Sequence, residues 1–350
     1  MTLTLGVVDV HAEGEPGRVV LDAASLVEGD TMAERLAYCR AHLDGLRELL
    51  LHEPRGHPAL CGVLLLPPVT PGADLGIVVL EQGGFTPMSG SNTMCAVAAA
   101  VEAGVLTPSG PVLDVAVDTA VGLVRARAEV RVGRVVAVTV ANVPAFVVAL
   151  DTPLDVPELG RVAVDVVFGG QFFVQVAAAD CGLDLVPANA RELARAGALL
   201  RIAAREQVGV RHPLNPDVQG VSLVMLHSGP RTPGRADRNT VVLTREPLDA
   251  ARPQTWRGIL DRSPCGTGTC ARMAALHARG QLALGEPFVH HSILGTRFGG
   301  LLTGEAEVAG ARAVQPSVTG RTWVTGSGRV SLHADDPFQR GYTLPDVWPA

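Results

Sequence analysis

One short pattern occurs twice in this chain. Ser89-Gly90-Ser91-Asn92-Thr93 and Cys265-Gly266-Thr267-Gly268-Thr269 each follow a proline closely (Pro87, Pro264). Each opens an Ala-rich stretch that runs to a glycine, Gly104 or Gly280. The interval from Ser89 to Gly104 equals that from Cys265 to Gly280. Small residues entering a helix of equal length with the same glycine stop predict helices over Ser91–Ala103 and Thr267–Arg279 and two related halves around them.

Most of the remaining sequence reads as short Val/Leu strands punctuated by Gly and Pro, among them Leu5–Val10, Gly62–Leu66, Leu75–Leu80, Val112–Val117, Val135–Val140, Phe172–Val176 and Val241–Leu243. Thr31–Leu51 and Ala190–Val208 carry apolar residues at helical spacing, and each predicts one helix. With 350 residues the chain is long enough for two cores. The expected fold is α/β in two similar lobes, each a mixed sheet wrapped about a buried helix. The first lobe is placed at 1–130 plus 330–350, and the second at 131–329.

Composition removes whole classes of function. A net charge of −6 argues against nucleic acid or an anionic membrane surface as partner. Eight Phe, two Tyr and three Trp supply little for base stacking. All 29 basic residues are Arg, so no ε-amine is available for a Schiff base or a P-loop. Arg stays protonated and offers no nucleophilic lone pair. The six cysteines form no C-x-x-C and no zinc-ligand spacing, so neither metal nor cofactor is expected. The first residues lack a basic start followed by an apolar core. The longest apolar stretch, Val135–Leu150, is broken by Thr139, Asn142 and Pro144. A cytoplasmic location with free thiols is the expectation.

A helix start points unpaired N–H groups and the positive end of the helix dipole at one spot, which suits an anion. If both starts grip one small carboxylate, Ser89 and Cys265 stand on either face of it. A thiol at a helix start is expected to ionise readily, making Cys265 a base for the carbon next to the carboxylate. The same N–H groups would then stabilise the enolate-like charge.

The chain also resembles the proline racemase family, which includes 4-hydroxyproline 2-epimerases and trans-3-hydroxy-L-proline dehydratases. The resemblance is carried by Asp9-Val10-His11-Ala12-Glu13-Gly14-Glu15-Pro16, Glu53-Pro54-Arg55-Gly56-His57, Met88-Ser89-Gly90-Ser91, Asp261-Arg262-Ser263-Pro264-Cys265-Gly266-Thr267-Gly268-Thr269, and Gly320-Arg321-Thr322-Trp323-Val324-Thr325-Gly326. It implies two α/β halves, each a curved sheet about a helix, with the substrate lying between them and neither cofactor nor metal. It further implies substrate contacts from Gly90, Ser91, Gly266 and Thr267 to a carboxylate, and from Asp261 to a ring nitrogen. Cys61 stands where racemases of the family often place a pocket aromatic, leaving room for a hydroxyl.

One departure from the family pattern is chemical. Racemases and epimerases of the family usually carry cysteine in both motifs, and here the first is Ser89, followed by Gly90-Ser91 in place of the usual Gly-His. A hydroxyl without an activating neighbour is a far weaker base than a thiol. Two-sided proton exchange is therefore expected to be impaired. One thiol suffices if the intermediate expels a β-hydroxyl, as in dehydration of trans-3-hydroxy-L-proline to pyrroline-2-carboxylate. The pairing resembles a Ser/Cys subgroup associated with dehydration and sometimes with 4-hydroxyproline epimerisation, and the sequence leaves open which dominates. A hydroxyproline is the expected small-molecule partner, and a homodimer is compatible with the sequence.

Rival readings are weaker. Gly266-Thr267-Gly268-Thr269-Cys270-Ala271 fits a loose dinucleotide pattern with Glu286 downstream, but Asp261–Pro264 is a poor end to a buried parallel strand. For His290-His291, and for His11 with Glu13 and Glu15, a surface or packing role is expected in place of metal binding. A cysteine nucleophile of the protease kind needs a paired histidine. Cys39, Cys95, Cys181 and Cys270 read as core or surface thiols, and Trp256 and Trp323 as packing residues. From another class comes a catalytically silent amino-acid-binding protein, which would not exchange the α-hydrogen with solvent.

Overall fold

The computed structural model describes residues 3–216, 218–229, 231, 236–244, 247–344 and 347–348. The chain separates into two compact units, the first spanning Met1–Val140 and Thr319–Trp348, the second Ala141–Val318. Most of the strand Arg134–Ala141 therefore belongs to the first unit, as does the stretch from Thr319, whereas both were expected in the second lobe. The reason is pairing: these segments close the first unit's own sheet.

Unit 1 contains β1 (Leu3–Ala12), β2 (Glu15–Val20), α1 (Met32–His42), α2 (Asp44–Leu51), β3 (Cys61–Leu66), β4 (Leu75–Glu81), β5 (Gly84–Thr86), α3 (Gly90–Glu102), β6 (Val112–Thr119), β7 (Gly122–Arg131) and β8 (Arg134–Ala141). Unit 2 contains β9 (Phe146–Val156), β10 (Gly160–Phe168), β11 (Phe172–Ala177), α4 (Ala190–Gln207), β12 (Leu223–His227), β13 (Asp237–Thr244), β14 (Gly258–Leu260), α5 (Gly266–Ala278), β15 (Phe288–His291), β16 (Arg297–Val308) and the start of β17 (Ala311–Leu332). The division between units falls within β17, whose later residues serve unit 1.

In unit 1 the strands close on themselves. β1 pairs with β2 and β17, β2 runs parallel to β3, β3 is antiparallel to β4, and β4 is parallel to β6. The ring continues through β7 and β8, and β8 returns to β17. Helix α3 lies within this ring against β1, β2, β3, β4 and β7, and Gly90 through Ala100 are all buried. Its alanines suit that place, since a helix surrounded by strands must be apolar all round and slim. Outside, α1 and α2 cover the sheet through Met32, Leu36, Cys39, Leu50 and Leu51, packed with Leu64, Leu66, Val78 and Leu80. Every residue of β3 is buried because helices cover both its faces.

Unit 2 repeats this plan strand for strand. β10 is antiparallel to β11, β11 parallel to β12, β12 antiparallel to β13, and β13 antiparallel to the short β14 and parallel to β15. β15 continues to β16, and β9 flanks β10. The Ala145–Val314 bridge ties the approach to β9 to the first part of β17. Helix α5 is the counterpart of α3, buried from Gly266 through Leu276, while α4 packs outside in the place of α1 and α2. Both central helices end alike. Gly104 and Gly280 are left-handed (φ 73° and 68°), and Val105 and Gln281 donate back to Ala100 and Leu276.

The stretch expected as one helix over Thr31–Leu51 is two. Leu43 (φ −111°, ψ 14°) ends α1 by donating to Cys39 and starts α2 by accepting from Arg47. The start of α1 is a capping box between Thr31 and Glu34. Among the described residues, no helix is long and apolar enough to cross a membrane.

Candidate active site

In each unit the short strand before the central helix delivers the repeated motif. In unit 1, Ser89 is extended (φ −147°, ψ 130°) and half-buried at the start of α3. Its carbonyl accepts from Thr93 N at 2.9 Å and from Thr93 Oγ1 at 2.8 Å. Its hydroxyl caps none of the first-turn N–H groups. Instead Asn92 Nδ2 donates to Ser89 Oγ at 3.1 Å, with Ser91 Oγ 3.4 Å away. Gly90 and Ser91 are buried in the same turn. Gly17 of β2 backs it closely, since a Cβ there would stand 3.1 Å from Cys95 Sγ and 3.2 Å from Asn92 Oδ1.

Cys61 opens β3 as a buried thiol that donates to the Pro16 carbonyl at 2.9 Å. Burial, with the negative charge of Glu15 adding to it, pushes its pKa well above the ordinary thiol value, opposed only weakly by the Asn92 side chain.

In unit 2, Asp261 follows β14 and is buried. Its Oδ1 accepts from Ser263 N at 2.8 Å and from Ser263 Oγ at 2.9 Å. Ser263 Oγ in turn accepts from Cys265 N at 3.1 Å. Cys265 therefore stands on a short polar scaffold that begins at Asp261. Its backbone is left-handed (φ 62°, ψ 119°), a conformation that costs a non-glycine residue about 1–3 kcal/mol. That geometry turns Sγ over the helix start, where it accepts from Gly268 N at 3.4 Å with Thr267 Oγ1 at 3.7 Å. The first-turn N–H groups of Gly266 and Thr267 are not capped by the sulfur. Glycine at 268 leaves room for this approach: a Cβ there would lie 2.7 Å from Met225 Cε and 3.1 Å from Cys265 Sγ, so both would have to shift. Gly169 fits as tightly against the first turn of α5, 2.4 Å from Thr267 O by the same measure, with its carbonyl held by Asn142 Nδ2 at 2.7 Å.

The ionisation expected of Cys265 is reversed. Burial pushes its pKa well above the ordinary thiol value, and the Asp261 carboxylate pushes the same way. The Gly268 N–H and Thr267 hydroxyl lower it, as a helix start should, but are outweighed. The resting group is a thiol.

The histidines and acids considered as ligands do not assemble. His11 accepts from Gly14 N through Nδ1 and stacks on Trp323, while Glu13 pairs with Arg321. Strand alternation sends His290 into the interior and His291 to the other face of β15. Among the described residues no three His, Cys, Asp or Glu side chains are arranged so that they could hold a metal ion. The dinucleotide alternative fails because β14 is a three-residue strand antiparallel to β13 and α5 is buried inside its own sheet. Trp256 is buried, whereas Trp323 is 41 % exposed between His11 and Arg321.

Asn92, Asn142, Gly169 and Asn239 shape these turns but carry no periodic or motif signal of their own; of the four, only Asn92 lies inside the repeat.

The whole chain has known relatives. The proline racemase family profile matches residues 7–343. The chain is 40 % identical over 337 residues to a 4-hydroxyproline 2-epimerase of Streptosporangium roseum, covering 96 % of this chain and 97 % of that one. It is 36 % identical to a proline racemase of Clostridioides difficile over the same shares. Among solved structures, a hydroxyproline epimerase from Agrobacterium vitis with bound trans-4-hydroxy-L-proline superposes with a TM-score of 0.89 at 37 % identity, covering 99 % of this chain and 97 % of that one. A duplicated α/β plan, one thiol-bearing helix start and similarity from end to end agree: this chain is an enzyme of the proline racemase family.

Proposed function

We propose that the protein acts at the α-carbon of a hydroxyproline and that dehydration of trans-3-hydroxy-L-proline outweighs epimerisation. One observation carries this reading: the equivalent helix starts bear a thiol, Cys265, and a hydroxyl, Ser89, into which Asn92 donates. An oxygen already accepting an N–H is a poorer base, and its own hydrogen is left to donate. Only Cys265 is then suited to take a carbon-bound proton.

In the proposed step both motifs act on one bound amino acid. The N–H groups of Gly90, Ser91, Gly266 and Thr267 receive its carboxylate, and Asp261 holds the ring ammonium. Cys265, which rests as a thiol, first gives its proton to solvent; the thiolate then takes the α-proton, and the C–H electron pair becomes the Cα–Cβ double bond. The C3–O pair leaves with the hydroxyl, which in the trans isomer lies on the same ring face as the α-hydrogen, takes the proton back from the Cys265 S–H and departs as water, with Ser89 on the opposite face. The resulting enamine tautomerises to pyrroline-2-carboxylate. The small Cys61 side chain leaves space for the ring hydroxyl.

A second reading, 4-hydroxyproline 2-epimerisation, is favoured by the 40 % identical relative and by the ligand of the solved neighbour. Incubating the enzyme with trans-3-hydroxy-L-proline, 4-hydroxyproline and proline in D2O, followed by NMR, separates the two. Pyrroline-2-carboxylate formed fastest from the 3-hydroxy compound is expected. Inversion of 4-hydroxyproline as the faster reaction would establish the second reading, and no α-hydrogen exchange with any of them would leave only a binding protein.

A further inference from the structure

Behind the Cys265 turn lies a set of buried polar side chains that the chemistry above does not use. Asn239 of β13, His290 of β15 and Thr269 of α5 have no exposure at all. Asn239 Nδ2 donates to the Pro264 carbonyl at 3.1 Å and lies 2.9 Å from His290 Nε2. The Thr269 hydroxyl donates to the same carbonyl at 3.2 Å, and His290 Nδ1 lies 3.0 Å from that hydroxyl. Asn239 Nδ2 also lies 3.1 Å from His290 Nδ1, and a neutral ring can accept through only one of its two nitrogens. With Thr269 donating to Pro264, His290 donates through Nδ1 and accepts through Nε2 from Asn239. That is a neutral ring, in keeping with its burial and the nearby Arg272 cation, which hold its pKa well down.

The Pro264 carbonyl and the Cys265 N–H are the two edges of one peptide plane. The carbonyl edge receives Asn239 and Thr269, and the N–H edge is held by Ser263 Oγ at 3.1 Å. The next rotatable bond is the one whose angle is strained, φ of Cys265 at 62°. Were the plane free to turn, Cys265 would relax towards an extended φ and swing its sulfur off the Gly268 N–H.

We propose that Asn239 and His290 are positioning residues, Asn239 by clamping the Pro264 carbonyl and His290 by holding Asn239 and Thr269 on it, which together keep Cys265 in its left-handed conformation and aim its sulfur. Neither touches the sulfur, and their path ends on a carbonyl oxygen with no proton to pass, so they act by geometry and not as a relay. The consequence for turnover rests on Cys265 being the acid/base thiol; the aim of the sulfur does not.

Alkylation of Cys265 by iodoacetamide, followed on its own peptide from neutral to alkaline pH, tests the clamp on the full chain. It is read beside kcat and KM for trans-3-hydroxy-L-proline. Asn239→Leu and His290→Phe remove the polar contacts while filling the space. Each is expected to lower kcat roughly 10- to 100-fold with KM within about 2-fold, the loss expected for a misplaced reacting group. Each should also raise the pH midpoint of alkylation, because the sulfur loses its N–H donor while the Asp261 charge that faces it remains. Asp237, Arg272, His227 and His291, charged or titratable groups around His290, are unchanged in both variants. His290→Gln, which can donate and accept, should restore most of the rate. If either variant fails to fold, Thr269→Val removes the second donor at constant shape, and the same upward midpoint shift is expected. Loosening of a merely structural contact would instead speed alkylation at every pH without moving the midpoint, and that result overturns the proposal. Wild-type kcat and midpoint in the variants overturn it equally. A midpoint that moves in an enzyme turning over no hydroxyproline upholds the clamp and fails only the functional reading.

Discussion

The Gly268 N–H donates to Cys265 Sγ across 3.4 Å, and the absence of a side chain at 268 permits the approach. Gly268→Ala would press a methyl against Met225 and the sulfur together. A loss of about 1–3 kcal/mol of stability is expected for such overpacking. Turnover should fall more steeply than KM changes. Urea denaturation and steady-state kinetics on the same preparation check this; an alanine variant of native stability and rate would show that the turn accommodates the methyl.

Cys265→Ala should abolish both turnover and α-hydrogen exchange, since it removes the thiol from the paired motifs. Exchange is best followed by NMR in D2O with each hydroxyproline. Residual activity at the wild-type level would take the thiol out of the mechanism.

Ser89→Cys places a second thiol at the start of α3. The ratio of epimerisation to dehydration should rise, because both faces of the α-carbon then meet a group able to take and return a proton. A flat ratio would contradict the role given to the serine.

Asp261→Asn tests the upward pressure on the Cys265 thiol. Removing the negative charge should lower the thiol pKa and speed its alkylation at neutral pH. The amide still accepts from Ser263, so the scaffold survives. Turnover should nonetheless drop, because the ring ammonium loses its counter-ion. Slower alkylation would mean that Asp261 does not raise the thiol pKa.

Stability should depend on two buried imidazoles. Burial and the Arg272 charge hold His227 and His290 well below the ordinary histidine pKa. Below about pH 6.5 the unfolded chain binds protons that the folded chain refuses, so stability is complete above that pH and declines beneath it. The slope is up to about 1.4 kcal/mol per pH unit for each such histidine. Unfolding free energies that stay constant from neutral pH to about pH 5 would refute this.

The duplication was readable because it is local: a turn of small residues, an alanine run and a glycine stop appear in order along the chain and need no partner to be recognised. Most strands read from Val and Leu runs lie within observed strands for the same reason, as with Gly62–Leu66 inside β3. Leu43 went unread because its neighbours keep a helical apolar spacing across the break, which tertiary packing against the sheet imposes. The ionisation of Cys265 is not legible in the sequence, because spacing reveals the helix start but not the burial or the Asp261 charge that outweigh it. Asn239 and His290 lie 25 residues either side of the Pro264–Cys265 peptide or beyond in sequence, on strands that only the fold brings to it.

The second unit occupies one uninterrupted run of chain, whereas the first is completed by β17, which pairs with β1 from the opposite end of the sequence. β1 finds β2 on one edge as soon as both are synthesised, whereas its other edge waits for β17. That open edge is among the last to be covered and is the part of the nascent chain most in need of protection.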